Sequence, residues 1–168
     1  MSESTSTSDQ TAMHVNLMHA AVDICRHGIA AGQSPFGAVI ADRSGNIVVA
    51  EHNRVRETTD ATAHAEVTAI RAACTKLGTS NLTGHIIAST CEPCPMCAAA
   101  IHWARLDGVV YGASIEDAQQ AEFNELALAT EKVYTDGGSS VKIFPRVLRD
   151  ECCGLFNEWK HGPNPNPY

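Results

Sequence analysis

Several absences narrow what this chain can be. Nowhere in its 168 residues is there a run of about 18 uncharged apolar residues, the length read as a membrane span. The opening segment, MSESTSTSDQ, is Ser/Thr-rich and acidic and lacks the basic start and apolar block of a secretory leader. Secretion is not expected, and a reducing, cytoplasmic location is. Basic residues are in the minority, 12 Lys and Arg against 19 Asp and Glu, for a formal net charge of -7. A polyanion would meet repulsion on average, which disfavours a nucleic-acid partner. There is no internal repeat.

What is present is a globular composition, 44% hydrophobic, at a length that suits one compact domain. Residues 1–10 read as a solvated tail, 11–160 as the domain, and 161–168, HGPNPNPY, as a polar C-terminal tail. Apolar spacing predicts a helix from Met13 to Ala31, stopped by Gly32. PFGAVIAD and IVVAEHN read as two strands joined by the turn RSGN. Thr62 is the expected cap of a helix ending at Gly78. A strand HIIAST, a helix with Pro93 at its first position, and a strand GVVYGA follow. Glu116 to Val133 reads mostly as helix, Val141 to Val147 as a fifth strand, and Asp150 to Lys160 as a last helix. The alternation implies an α/β layered domain, with strands four and five parallel neighbours.

The stretch Cys91-Glu92-Pro93-Cys94-Pro95-Met96-Cys97 places three thiols within seven residues. Disulfides, a redox pair and a metal site compete to explain it. A reducing compartment and an odd total of seven cysteines argue against disulfides. Prolines on both sides of Cys94, without a thioredoxin-like strand order, argue against a redox pair. Cys94 and Cys97, three apart at a helix start, can face one point, and the helix dipole favours their thiolates. His64 offers a third ligand upstream. Two thiolates and an imidazole favour zinc over magnesium or calcium, and three protein ligands leave a fourth position open, the catalytic pattern. Cys91 would close the site, but it sits at a strand end and reads as a buried thiol. Cys25, Cys74, Cys152 and Cys153 read as small hydrophobes.

Glu66 lies two residues after His64. On a helix such residues diverge by about 200°, so both reach one site only if it lies off the helix end. The mouth between two helix N-termini at strand ends is such a place. Zinc lowers the pKa of a coordinated water from about 16 to roughly 7. With two thiolate donors a base is still needed, and Glu66 is placed to serve. The chemistry this suits is hydrolytic attack on a C–N centre.

His64-Ala65-Glu66 followed by Pro93-Cys94-Pro95-Met96-Cys97 resembles the signature of the cytidine-deaminase-like zinc deaminases. The stretches PFGAVI, TAHAEVTAIRAAC, STCEPCPMC, AIHWAR and VVYGA are similar to the bacterial guanine deaminases in particular. The resemblance covers most of the chain and weakens after about Ala118. It implies a three-layer α/β/α sandwich around a five-stranded mixed sheet, with one zinc per subunit. It also implies a free nucleobase, most simply guanine, hydrolysed to xanthine and ammonia. Guanosine, cytosine, an ammeline-type triazine or tRNA adenosine are the alternatives. Carried over residue by residue, His64, Cys94 and Cys97 hold the metal and Glu66 moves protons. Asn53, Ala65, Phe36 and Trp103 meet the base. Glu125, in Phe123-Asn124-Glu125, stands where the family has an aspartate after Phe-Asp. Tyr168 would close the site of the partner subunit in a homodimer with swapped C-terminal segments.

Overall fold

The computed structural model describes residues 7–166. The element order is α1 (Thr7–Ala30), β1 (Gly37–Asp42), β2 (Ile47–His52), α2 (Val55–Thr58), α3 (Ala65–Leu77), β3 (His85–Cys91) and α4 (Pro95–Trp103). Then follow β4 (Gly108–Ala113), α5 (Ile115–Gln120), α6 (Thr130–Gly137), β5 (Lys142–Phe144) and α7 (Arg149–Lys160). No helix among the described residues is long and apolar enough to cross a membrane.

The sheet runs β2-β1-β3-β4-β5. β1 is antiparallel to both its neighbours, whereas β3, β4 and β5 are mutually parallel, as the intervening helices require. Period-two alternation divides the core. Val39, Ala41, Ala88 and Val110 face a layer containing α1 and α7. Ala38, Ile40, Ile87 and Val109 face α3, α4 and α6. A sheet apolar on both faces must be covered on both, and the result is the expected three-layer sandwich. The β1–β2 turn is fixed by Asp42, whose carboxylate accepts the N–H groups of Ser44 and Asn46 at 2.8 and 3.0 Å.

Five boundaries differ from the sequence reading. The fifth strand, expected over Val141 to Val147, is only Lys142–Phe144. α1 already begins at Thr7, so residues 7–10 are helical and not tail; residues 1–6 lie outside the described part. Thr62 does not cap α3, because its hydroxyl donates to Asp60 at 2.7 Å and His64 takes the N-cap position. Pro95, not Pro93, is the first residue of α4, and Cys94 is its N-cap. The long helix expected over 116–133 is two, α5 and α6. Glu122 adopts a φ of 76°, and the chain turns inward to bury Phe123 against Phe36, Phe156 and Trp159. That aromatic burial outweighs continuing helix propensity across 121–129.

Candidate metal centre and active site

Two helix starts meet at the C-terminal ends of β3 and β4, where open α/β sheets place their ligands. His64 caps α3 with φ -61° and ψ 156°, and Cys94 caps α4 with φ -64° and ψ 167°. Neither residue caps its helix with a side-chain hydrogen bond, which leaves the imidazole and the thiol to meet at the helix mouths. Because His64 precedes the helix and Glu66 lies within its first turn, they can share one site despite their spacing.

His64 Nδ1 lies 3.7 Å from Cys94 Sγ and 3.5 Å from Cys97 Sγ, and all three ligand atoms fall within 4.8 Å of one another. Zn–S bonds of about 2.3 Å and a Zn–N bond of about 2.05 Å at tetrahedral angles put nitrogen and sulfur about 3.5–3.6 Å apart. The residues therefore fit zinc in both donor type and spacing. The Cys97 thiol beside it holds the Cys94 thiol down at about 4, while Cys97, sharing that proton, is pushed well up. Burial pulls His64 down, but Cys94 and Glu66 outweigh it and the imidazole is shifted up. The pocket thus favours a cation between a thiolate and a carboxylate.

Glu66 is buried, and burial pushes its carboxyl above the ordinary range. Ser89 Oγ donates to its Oε1 at 3.1 Å, and Cys97 Sγ lies 3.5 Å from Oε2. A carboxyl so raised and oriented is suited to taking a proton and returning it. Ser89 went unnoticed in the sequence. HIIAST carries two adjacent hydroxyls, Ser89 and Thr90, and the available signal is that Ser89 shares the face of Ile87, which meets α3.

Phe36, His64, Glu66, Cys91, Glu92, Cys94 and Glu125 surround a cavity of about 20 Å³. That is room for a water molecule and not, as it stands, for a planar heterocycle. Burial pushes the Glu125 carboxyl up, and Cys94 and Glu66 add to the effect through space. A roomier cavity of about 320 Å³, lined by Met13, His14, Ile86, Asp107 and Phe144, lies at the opposite ends of the parallel strands, away from the metal ligands.

The remaining residues fall into three groups. Asn53 is fully buried beside Phe36, to whose carbonyl its N–H donates at 2.9 Å, and its Oδ1 accepts the Val55 N–H at 3.2 Å. Ala65 is the buried first residue of α3, between ligand and acid. Trp103 is not brought to this site: it ends α4, the helix that starts at Cys94, and is 78% exposed. A nine-residue helix carries it about 13 Å away. Tyr168 lies outside the described residues, and the tail before it runs back along its own chain, with Arg56 donating to the Asn164 carbonyl at 3.5 Å. Cys91 is buried, with Sγ 3.7 Å from the Ser114 carbonyl, and stands outside the His64, Cys94, Cys97 group. All seven cysteines are free.

Residues 11–113 match the family model described as the cytidine and deoxycytidylate deaminase zinc-binding region. Over 158 residues the chain is 39% identical to guanine deaminase of Bacillus subtilis (strain 168), covering 92% of this chain and 99% of that protein. A solved structure of guanine deaminase from Nitrosomonas europaea superposes with a TM-score of 0.81 at 28% identity, covering 88% of this chain and 84% of that one. A tRNA-specific adenosine deaminase of Agrobacterium fabrum is 48% identical, but over only 79 residues, 47% of this chain and 51% of that protein.

Proposed function

The chain is a member of the cytidine and deoxycytidylate deaminase zinc-binding family, and on that premise we propose that it hydrolyses guanine to xanthine and ammonia. The observation that carries this reading is the convergence of His64, Cys94 and Cys97 beside the buried carboxyl of Glu66. Similarity to guanine deaminases over nearly the whole chain supports the choice of base. A zinc ion held by the three ligands would act as a Lewis acid and make water nucleophilic near neutral pH.

The protein's own residues do the rest. Glu66, steadied by Ser89, accepts a proton from the attacking water and delivers it to ring N3. A second proton passes the same way to the exocyclic amine, the C2–N bond breaks, and ammonia leaves as the C2–O bond is completed. Phe36 offers an apolar face to a flat ring, and the carboxamide of Asn53 has a donor and an acceptor for the O6/N7 edge. The amide of Ala65, at a helix start, is available to the developing negative charge. Glu125 supplies a further acceptor at the cavity wall.

The domain extends from α1, at Thr7, to Lys160, and 161–168 acts in a homodimer by exchange, Tyr168 closing the partner's site. Swapping replaces contacts within one chain by the same contacts between copies, and the tail's contact with Arg56 is of the kind that can be exchanged. Trp103, exposed at the end of α4, faces outward where a second chain can meet it. A reducing, cytoplasmic compartment suits this reading, because it keeps the thiolate ligands from oxidation. A tRNA substrate is opposed by the net charge of -7.

Ammonia release should be measured over guanine, guanosine, cytosine, adenine, ammeline and a tRNA anticodon stem-loop with zinc-loaded protein. Guanine should be turned over with the highest kcat/KM. Preference for any of the others would overturn the assignment. Deleting residues 163–168 should cut turnover strongly while the melting temperature stays, and full turnover would refute the exchange.

A further inference from the structure

We infer that Glu92 is a positioning residue, which sets where the Glu125-bearing segment meets the metal ligands; the inference rests on the site reading above. Glu92 lies two residues before Cys94, and its N–H donates to the Ala113 carbonyl at 2.7 Å, so its backbone is fixed to the end of β4. Its side chain reaches two helix starts at once. Oε2 accepts the N–H of Ile115, first residue of α5, at 3.2 Å. Oε1 accepts the N–H of Thr130, first residue of α6, at 2.9 Å. The second bond fills a gap, since Ala129 caps α6 and has no side-chain acceptor to offer. Thr130, itself fully buried, closes the ring by donating its hydroxyl to the Pro93 carbonyl at 2.7 Å.

The chain therefore leaves the metal loop at Ile115 and returns at Thr130, with both ends held by one carboxyl group. Between them lies the irregular stretch 121–129, which carries Phe123 into the core and Glu125 to the cavity wall. Glu125's backbone bonds are local: its N–H donates to the Phe123 carbonyl at 3.0 Å, and its carbonyl accepts from the Gln119 side chain at 3.5 Å. Its position relative to Cys94 is thus set by the two ends together with the Phe123 anchor in the core. Glu92 also lines the cavity, but both its oxygens are engaged by main-chain amides, so it acts through Glu125 and not on substrate.

The test is a double-mutant cycle on zinc-loaded full-length protein, with guanine as substrate. Glu92→Ala should retain one zinc per chain and lose about 10–100-fold in kcat/KM. Glu92→Gln, which keeps one acceptor oxygen, should fall between it and the parent. In a Glu125→Ala background the same Glu92→Ala change should cost no more than about twofold. Losses that multiply, or an unimpaired Glu92→Ala enzyme, would overturn the inference. Should Glu92→Ala not fold, the cycle is run with Glu92→Gln. Hydrogen exchange gives a second readout: amides of 121–129 should exchange faster in the Glu92 variant while those of β3 and β4 do not, and unchanged exchange at 121–129 would overturn it. A parent protein inert toward guanine would sink the substrate assignment, while exchange still decides the role of Glu92.

Discussion

Replacing Gly37 by Ala puts a methyl group where the backbone of α1 already lies. A Cβ built there meets the Ala21 carbonyl oxygen at 2.4 Å and the Cys25 Cβ and N at 2.8 Å, against ordinary contacts of 3.4–4 Å. The helix would have to retreat by about 1 Å, and the nearest atoms are main chain, which cannot rotate aside. Leu17, Met18, Ala21, Val22 and Cys25 are all buried on this helix and would move with it. Overpacking of this kind costs about 1–3 kcal/mol, and a backbone clash belongs at the upper end. At about 2–4 °C per kcal/mol for a chain of this size, the melting temperature should fall by about 6–12 °C. The contrast is Gly154, inside α7, whose added Cβ would meet nothing within 4 Å. Gly154→Ala should stabilise by about 0.4–1 kcal/mol through the unfolded chain. Far-UV circular dichroism melts of zinc-loaded proteins at one concentration compare the two. A Gly37→Ala protein that melts within about 1 °C of its parent would refute the close-approach argument. Because Gly37 follows Phe36 on the cavity wall, KM should also rise.

Two further outcomes follow from the charged groups. Asp117 closes the capping box of α5 and accepts from Arg149 at 3.1 and 2.5 Å. Arg149 is 42% exposed, so screening limits the ion pair, and Asp117→Asn should cost about 1 kcal/mol. Burial pushes the Asp117 carboxyl up, but the Ser114 amide and Arg149 outweigh it and leave it below its ordinary value of 3.8. Its stabilisation is therefore full above that value and lost as pH falls through the lower folded one, so parent and variant should differ constantly from pH 7 to 5 and converge below about pH 4 in urea titrations. Among the thiols, Cys94, at about 4, should be alkylated first once zinc is chelated, even at pH 6, while buried Cys91 and Cys97, both pushed up, lag behind. Equal labelling of all three by mass spectrometry would contradict the pocket electrostatics.

The strands and most helices were legible because their apolar residues repeat at periods of two or near four, and those periods decide which layer a side chain joins. Pro95 and His64 mark where local reasoning slipped by two residues. The helix-start rules were right in kind, yet the expected cap, Thr62, and the expected first residue, Pro93, were engaged elsewhere, by Asp60 and by the Thr130 hydroxyl. The metal ligands and Glu66 were readable as a motif because each contributes from a helix start. Glu92 and Ser89 were not, since their roles depend on amides and oxygens brought together only by the fold. Trp103 shows the converse: a resemblance carried it to the base pocket, whereas α4 carries it out to the surface.

The central claim is that one zinc ion, gripped by His64, Cys94 and Cys97, works with Glu66 as the proton carrier. It is tested most directly by measuring zinc content and ammonia release together in Glu66→Ala. One zinc per chain should remain, with guanine turnover down by about 100–10,000-fold, the range for a lost general acid–base group. A variant that keeps its zinc and its turnover alike would contradict the account.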